Sequence, residues 1–166
     1  MDTFEAIRKR RSVRSYTGEP IPKGDLEKIV EAGRWAPSGY NRQPWDFIVV
    51  TNKEMIDNFK IAAQWIVNAG AVIAVVLDSN ASKFWLEDGS AAIENMLLAS
   101  TALGYGSCWL EGDSEPHEKE FKKLLGVPAQ KRLLTLIPIG VPTHWPEKEK
   151  KSLDKVLHWE RYGGQA

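Results

Sequence analysis

Apolar positions in this chain alternate between two periods. Thr3–Lys9 reads as a short helix with Phe4 and Ile7 on one face. Beyond Ile21-Pro22, Leu26, Ile29 and Val30 recur at helical spacing and predict a helix from Lys23 to Trp35. Pro37 ends it, because the residue before a proline resists the α region. Ser38 to Trp45 is a polar loop. Asp46–Thr51 (DFIVVT) has the pattern of a strand, since β-branched side chains are stiff at χ1 and suit a pleated surface. Asn52 is placed to cap a helix over Lys53–Ala63.

Ala69–Asp78 (AGAVIAVVLD) is a nearly continuous apolar run, the mark of a strand covered on both faces. The longest helical pattern follows, Phe84–Leu103. Ile93, Met96, Leu97 and Ser100 share a face, and Ala91, Ala92, Leu98, Ala99 and Ala102 make the other sides small or apolar. A helix apolar nearly all round is expected to be buried. Its charges Glu87, Asp88 and Glu94 read as helix-surface or capping groups. Gly104 and Gly106 end it, and Ser107–Leu110 reads as a short strand. Ser114 is the expected cap of a helix over Pro116–Leu125, with Gly126 just past its end. Leu133–Ile139 is a further strand. From Pro142 onward no core-forming period remains, so residues 142–166 are expected to form an extended arm that wraps rather than folds on itself. The elements interleave without a regular βαβ repeat. The expected fold is therefore α+β, one domain over residues 1–166, with a mixed central sheet between helical layers.

Composition narrows the function. At 166 residues, with 43% hydrophobic and 27% charged, the chain can bury about 70% of its unfolded surface in one core. Its 22 basic and 22 acidic residues cancel. A nucleic-acid partner is not expected, because such binders carry a basic excess. A single cysteine, Cys108, excludes an internal disulfide and any multi-cysteine metal site. The N-terminal MDTFEAIRKRRSVRSY has no apolar signal region, and no apolar run approaches the roughly 20 residues of a membrane span. A cytoplasmic protein without a membrane partner is expected. No G-x-G-x-x-G follows a strand, and neither a P-loop nor a G-x-S-x-G elbow is present. His117, His144 and His158 lack metal-ligand spacing. Cys108, in its strand context, reads as a buried structural thiol.

Three clusters carry candidate chemistry. Arg8, Lys9, Arg10, Arg11 and Arg14 crowd five cations into seven positions around Ser12. Guanidinium forks match phosphate oxygens, although a solvated basic helix end has the same composition. The loop Ala36-Pro37-Ser38-Gly39-Tyr40-Asn41-Arg42-Gln43-Pro44-Trp45 could read the polar edge of a flat heterocycle or simply join a helix to a strand. Leu103 to Gly112 could present backbone N–H groups at a strand end, or be an ordinary turn.

Taken together and in order, RRSVRSY, APSGYNRQPW, AAIENMLLASTALGYGSCWLEG and IPIGVP resemble the FMN-dependent nitroreductase family over nearly the whole chain. The resemblance implies FMN held by Arg10, Arg11, Ser12 and Arg14. Arg10 and Arg11 would lie near phosphate and ribityl, and Arg14 near the N1/C2=O edge. Pro37, Ser38, Gly39 and Asn41 would reach the flavin of the other subunit, and Gln64 its pyrimidine side. Leu110, Glu111 and Gly112 would line the ring, with the Glu111 N–H toward N5. Near the C-terminus the family carries an arginine on phosphate; here stand Lys150 and Lys151, point charges in place of a fork. The resemblance further implies a homodimer with flavin sites at the interface, the long helix at its core, and part of the tryptophan complement lining interface or pocket. It implies a ping-pong enzyme that passes hydride from NADH or NADPH to an electron-poor acceptor such as a nitroaromatic or quinone. No side-chain acid–base pair is needed, since the flavin carries the reaction. Dehydrogenase, heterocycle-oxidising or dehalogenating chemistry at the same flavin stays open, as does a flavin-binding module without turnover.

Overall fold

The computed structural model describes residues 1–110 and 117–165. The elements in chain order are α1 (Thr3–Lys9), α2 (Lys23–Arg34), β1 (Trp45–Val50), α3 (Lys53–Asp57), β2 (Ala71–Leu77), α4 (Trp85–Ala102), β3 (Gly106–Ser107), α5 (Glu118–Leu125) and β4 (Arg132–Gly140). Short 3-10 turns cover Gly39–Asn41, Asn58–Ile61, Gln64–Asn68 and Leu153–Lys155. Ser114 and Pro116, the expected start of α5, lie outside the described residues.

The four strands form one sheet in the order β1-β2-β4-β3, and each named pair is antiparallel. Among the described residues its parallel character comes from the bridge between Ser12 and Ser107. All seven residues of β2 are buried, as its unbroken apolar run requires. Ala71, Ile73, Val75 and Leu77 face one core, with Leu26 and Ile29 of α2 and Ala92, Ile93, Met96 and Leu97 of α4. Val72, Ala74 and Val76 face the other, with Val13, Tyr16, Ile56, Phe59 and Phe121. Helices therefore cover both faces of an α+β sheet. A bulge keeps β4 in step: Val75 pairs with Thr135 but Val76 with Leu133, so Leu134 is the extra residue. Leu134 consequently joins Ile137 and Ile139 in the first core, while Leu133 and Leu136 join the second.

Two expectations are corrected. The helix expected over Lys53–Ala63 is α-helical only to Asp57 and then tightens. Asn58 Nδ2 donates to the Glu54 carbonyl at 2.7 Å, the acceptor that an α-helical Asn58 N–H would have used. The strand expected at Ser107–Leu110 is reduced to Gly106–Ser107, although the Cys108 and Leu110 N–H groups still reach the Pro138 and Leu136 carbonyls. The helix α1 stands as expected; Phe4 and Ile7 are 72% and 50% exposed, and only Ala6 of α1 is buried.

Candidate functional site: a cationic cavity on the N-terminal strip

Residues 12–17 run as an extended strip between β3 and the chain after β4. Val13 N–H donates to the Ser107 carbonyl at 2.9 Å, Thr17 N–H to Val141 at 3.0 Å, and Thr143 N–H to Ser15 at 3.1 Å. Two buried anchors fix the strip. Val13 is fully buried against Gly106, where a Cβ would stand 2.7 Å from Val13 Cγ1. The Tyr16 hydroxyl lies 2.7 Å from the Val13 carbonyl and 3.1 Å from that of Pro138, so its one proton always has an acceptor. Burial pushes the Tyr16 phenol up, and it stays neutral.

Between these anchors Arg14 is exposed, and Ser12 and Ser15 are half-buried. They border a cavity of about 410 Å³ shared with Arg10 and Arg11, and closed by His144, Pro146, Lys148 and Lys150. Five of these residues are Arg or Lys, and none of them is Asp or Glu. The cations differ in how far they are committed. Arg11 is part of the scaffold: Nη1 donates to the Arg8 and Arg10 carbonyls at 2.6 and 2.8 Å, ending α1, and Nη2 reaches Lys148 O at 3.5 Å. Its Nε is buried without a hydrogen-bond partner among the described residues. Arg10 Nε lies 3.5 Å from Glu94 Oε1. The Arg14 guanidinium is exposed and takes no hydrogen bond among the described residues.

Beneath the strip, burial pushes the Cys108 thiol up, against the opposing pull of Arg14, a hydrogen bond with Ser12 and the charge of Arg10. It is a buried, protonated thiol, as its strand context implies. The donor set that lines the cavity therefore consists of guanidinium forks, ammonium groups and two hydroxyls. That chemistry fits a phosphate ester, including the phosphate arm of FMN.

Of the residues expected at a flavin site, Arg10, Arg11, Ser12, Arg14 and Lys150 converge on this cavity; Lys151 does not line it. Pro37, Ser38, Gly39 and Asn41 form a separate loop away from the cavity lining, and Gln64 is an exposed residue opening the turn before β2. Leu110 is half-buried against β4, with its N–H on the Leu136 carbonyl at 3.1 Å. Glu111 and Gly112 lie outside the described residues. Ser15, His144 and Lys148 are lining residues that the sequence reading did not single out. Asp88, read as a helix-surface or capping charge, is 4% exposed and so is not a surface group. Among the described residues no group of His, Cys, Asp and Glu could hold a metal ion, and no helix is long and apolar enough to cross a membrane.

Fold and site together define an α+β domain with a cationic cavity at the end of its first helix. The chain belongs to the nitroreductase family. The family model described as "Nitroreductase family" matches residues 7–85 and 60–141. A protein of Archaeoglobus fulgidus, provisionally named NADH dehydrogenase/NAD(P)H nitroreductase, is 40% identical over 149 residues, which are 85% of this chain and 86% of that protein. The FMN-dependent nitroreductase of Clostridium difficile R20291 superposes with a TM-score of 0.87 at 28% identity, over 95% of this chain and 99% of that one. A Desulfovibrio desulfuricans protein, provisionally named a nitroreductase and solved in complex with FMN, gives 0.79 at 30% identity, over 95% of each chain. The flavin-type oxidoreductase class thus holds at the level of the family.

Proposed function

We propose that the chain binds FMN and works as a homodimeric oxidoreductase, moving hydride from NADH or NADPH to a small electron-poor acceptor such as a nitroaromatic or quinone. The observation that carries this reading is the convergence of Arg10, Arg11, Ser12, Arg14 and Lys150 on one cavity that no carboxylate lines among the described residues. The FMN complex of the 30% identical relative supports the choice of cofactor. Bound FMN would supply the hydride chemistry at N5 in two half-reactions, nicotinamide first and acceptor second.

The side chains then have separate tasks. Arg11, tied to three carbonyls, fixes the end of α1 and adds its charge to the cavity wall. Arg10 and Lys150 supply charge to the phosphate, and the uncommitted Arg14 is free to meet the negative edge of a reduced ring. The Pro37–Asn41 loop stands apart from the cavity of its own chain, which suits a wall lent to a second copy. Apolar surface supports such a partner. Phe4, Ile7 and Leu103 are exposed on α1 and at the end of α4, and in the arm Leu153, Val156, Leu157 and Trp159 are 41–69% exposed.

The test is the visible spectrum of the purified protein, followed by anaerobic NADH and then NADPH. Flavin bands bleached by either nicotinamide are expected. A colourless protein that also fails to take up added FMN would remove the reading; bound flavin that neither nicotinamide reduces would leave a binding module.

A further inference from the structure

Two loops meet at the start of α4, residues 38–44 and residues 78–84, and one buried carboxylate joins them. Asp88 Oδ1 accepts the Gly39 N–H at 2.7 Å, and Oδ2 accepts the Ser82 hydroxyl at 2.7 Å. Ser82 Oγ in turn accepts the Phe84 N–H at 3.1 Å. The Phe84 ring fills the space of a missing side chain: a Cβ on Gly39 would stand 2.4 Å from Phe84 Cδ2. The Tyr40 ring tilts over the same phenyl, with centroids 6.4 Å apart. At the far end of the loop, Arg42 Nη1 donates to the Ala81 carbonyl at 3.2 Å.

The loop needs such a clamp. Tyr40, Asn41 and Gln43 have φ of 54°, 55° and 48°, left-handed values that non-glycine residues hold only where their surroundings over-determine them. Local bonds, such as Gln43 N–H to Ser38 Oγ at 3.0 Å, close the turn on itself but do not tie it to the body of the protein. Asp88 does. Burying a carboxylate is costly unless each oxygen is satisfied, and here both oxygens serve loops outside the helix. Its place in the first turn of α4 adds the favourable end of the helix dipole.

We propose that Asp88 is a positioning residue for the cofactor site, holding the Ser38–Asn41 turn in the conformation that meets the flavin. This rests on the FMN reading above; the clamp itself does not, and the two are tested separately. In the full-length flavin-free protein, the rate of trypsin cleavage after Arg42, followed by mass spectrometry, reports the loop. Quenching of FMN fluorescence reports affinity. Asp88→Ala is expected to speed that cleavage and to weaken FMN binding by about tenfold or more, the scale of a lost charge-assisted hydrogen bond. Asp88→Asn retains an acceptor for Gly39 and a donor toward Ser82, and is expected to stay within about threefold of wild type. If Asp88→Ala does not fold, Ser82→Ala removes one arm of the clamp and is expected to shift both readouts in the same direction. Unchanged cleavage overturns the clamp. Faster cleavage with unchanged FMN affinity overturns the positioning role. A wild-type protein that takes up no FMN overturns the cofactor reading, and cleavage alone then decides the clamp.

Discussion

Arg11 and Arg14 share one motif and differ in what they are free to do. Arg11 spends its guanidinium on backbone carbonyls, whereas Arg14 is exposed and uncommitted. Arg14→Ala is therefore expected to weaken FMN binding by about tenfold while leaving the melting temperature of the flavin-free protein unchanged. Arg11→Ala is expected to lower that melting temperature as well. Flavin titration and thermal unfolding of both variants measure the contrast; equal FMN affinity in wild type and Arg14→Ala would remove Arg14 from the site. The sequence made the RRSVR segment legible because a contiguous motif carries its own geometry. Ser15, His144 and Lys148 were not legible, since they reach the cavity only through the long-range pairing of residues 15–17 with 141–143. Asp88 shows the limit of helical patterning. A buried carboxylate and a surface one are the same letter, and its partner Gly39 is 49 positions away.

At the scale of elements, α1, α2, β1, β2, α4 and β4 follow from the sequence to within a residue or two, because each has a sustained period. The departures arise where one side chain or one tertiary contact outweighs the period: Asn58 capturing a helix acceptor, or β3 ending where its ladder loosens. The attachment of α5 to β4 is another such contact, invisible in any local pattern. Glu118 Oε1 accepts Arg132 Nε at 2.8 Å and the Leu133 N–H at 3.0 Å, with Oε2 on Arg132 Nη2 at 3.1 Å. Burial alone would raise the Glu118 carboxyl; the hydrogen bonds from Arg132 and Leu133 and the charges of Arg132 and Lys122 outweigh it and lower the group below its ordinary 4.5. A carboxylate lowered in the folded state contributes stability that is present above its unfolded value and is lost as pH falls through the folded one. Glu118→Gln is thus expected to cost about 1–2 kcal/mol near neutral pH. The gap from wild type should close as pH falls below the ordinary glutamate value. Urea unfolding of both proteins at neutral and acid pH measures it, and a gap constant with pH would show that packing, not charge, carries this contact.

The whole molecule has a cavity on one side of the strip and a strained loop elsewhere, and apolar residues exposed on α1, at the end of α4 and along the arm. A monomer leaves each of these incomplete. On the proposed dimer reading, a second copy would complete all three at once, covering the apolar surface while the loop of each subunit closed the cavity of the other. Ile7 separates the two cases cleanly, because it is 50% exposed and touches no core of its own chain. In a monomeric protein, Ile7→Glu would exchange one exposed side chain for another, with a stability change within about 0.5 kcal/mol. In a dimer joined across α1, the same change would bury a charge in an apolar interface, which is strongly unfavourable. Wild type is therefore expected at twice the 18.7 kDa chain mass by light scattering. Ile7→Glu is expected to shift toward the single chain, and its FMN affinity should fall in parallel although no phosphate contact has been touched. A variant that turned monomeric yet kept its FMN affinity would show that each chain builds its flavin site alone, and the loop around Asp88 would then need another purpose.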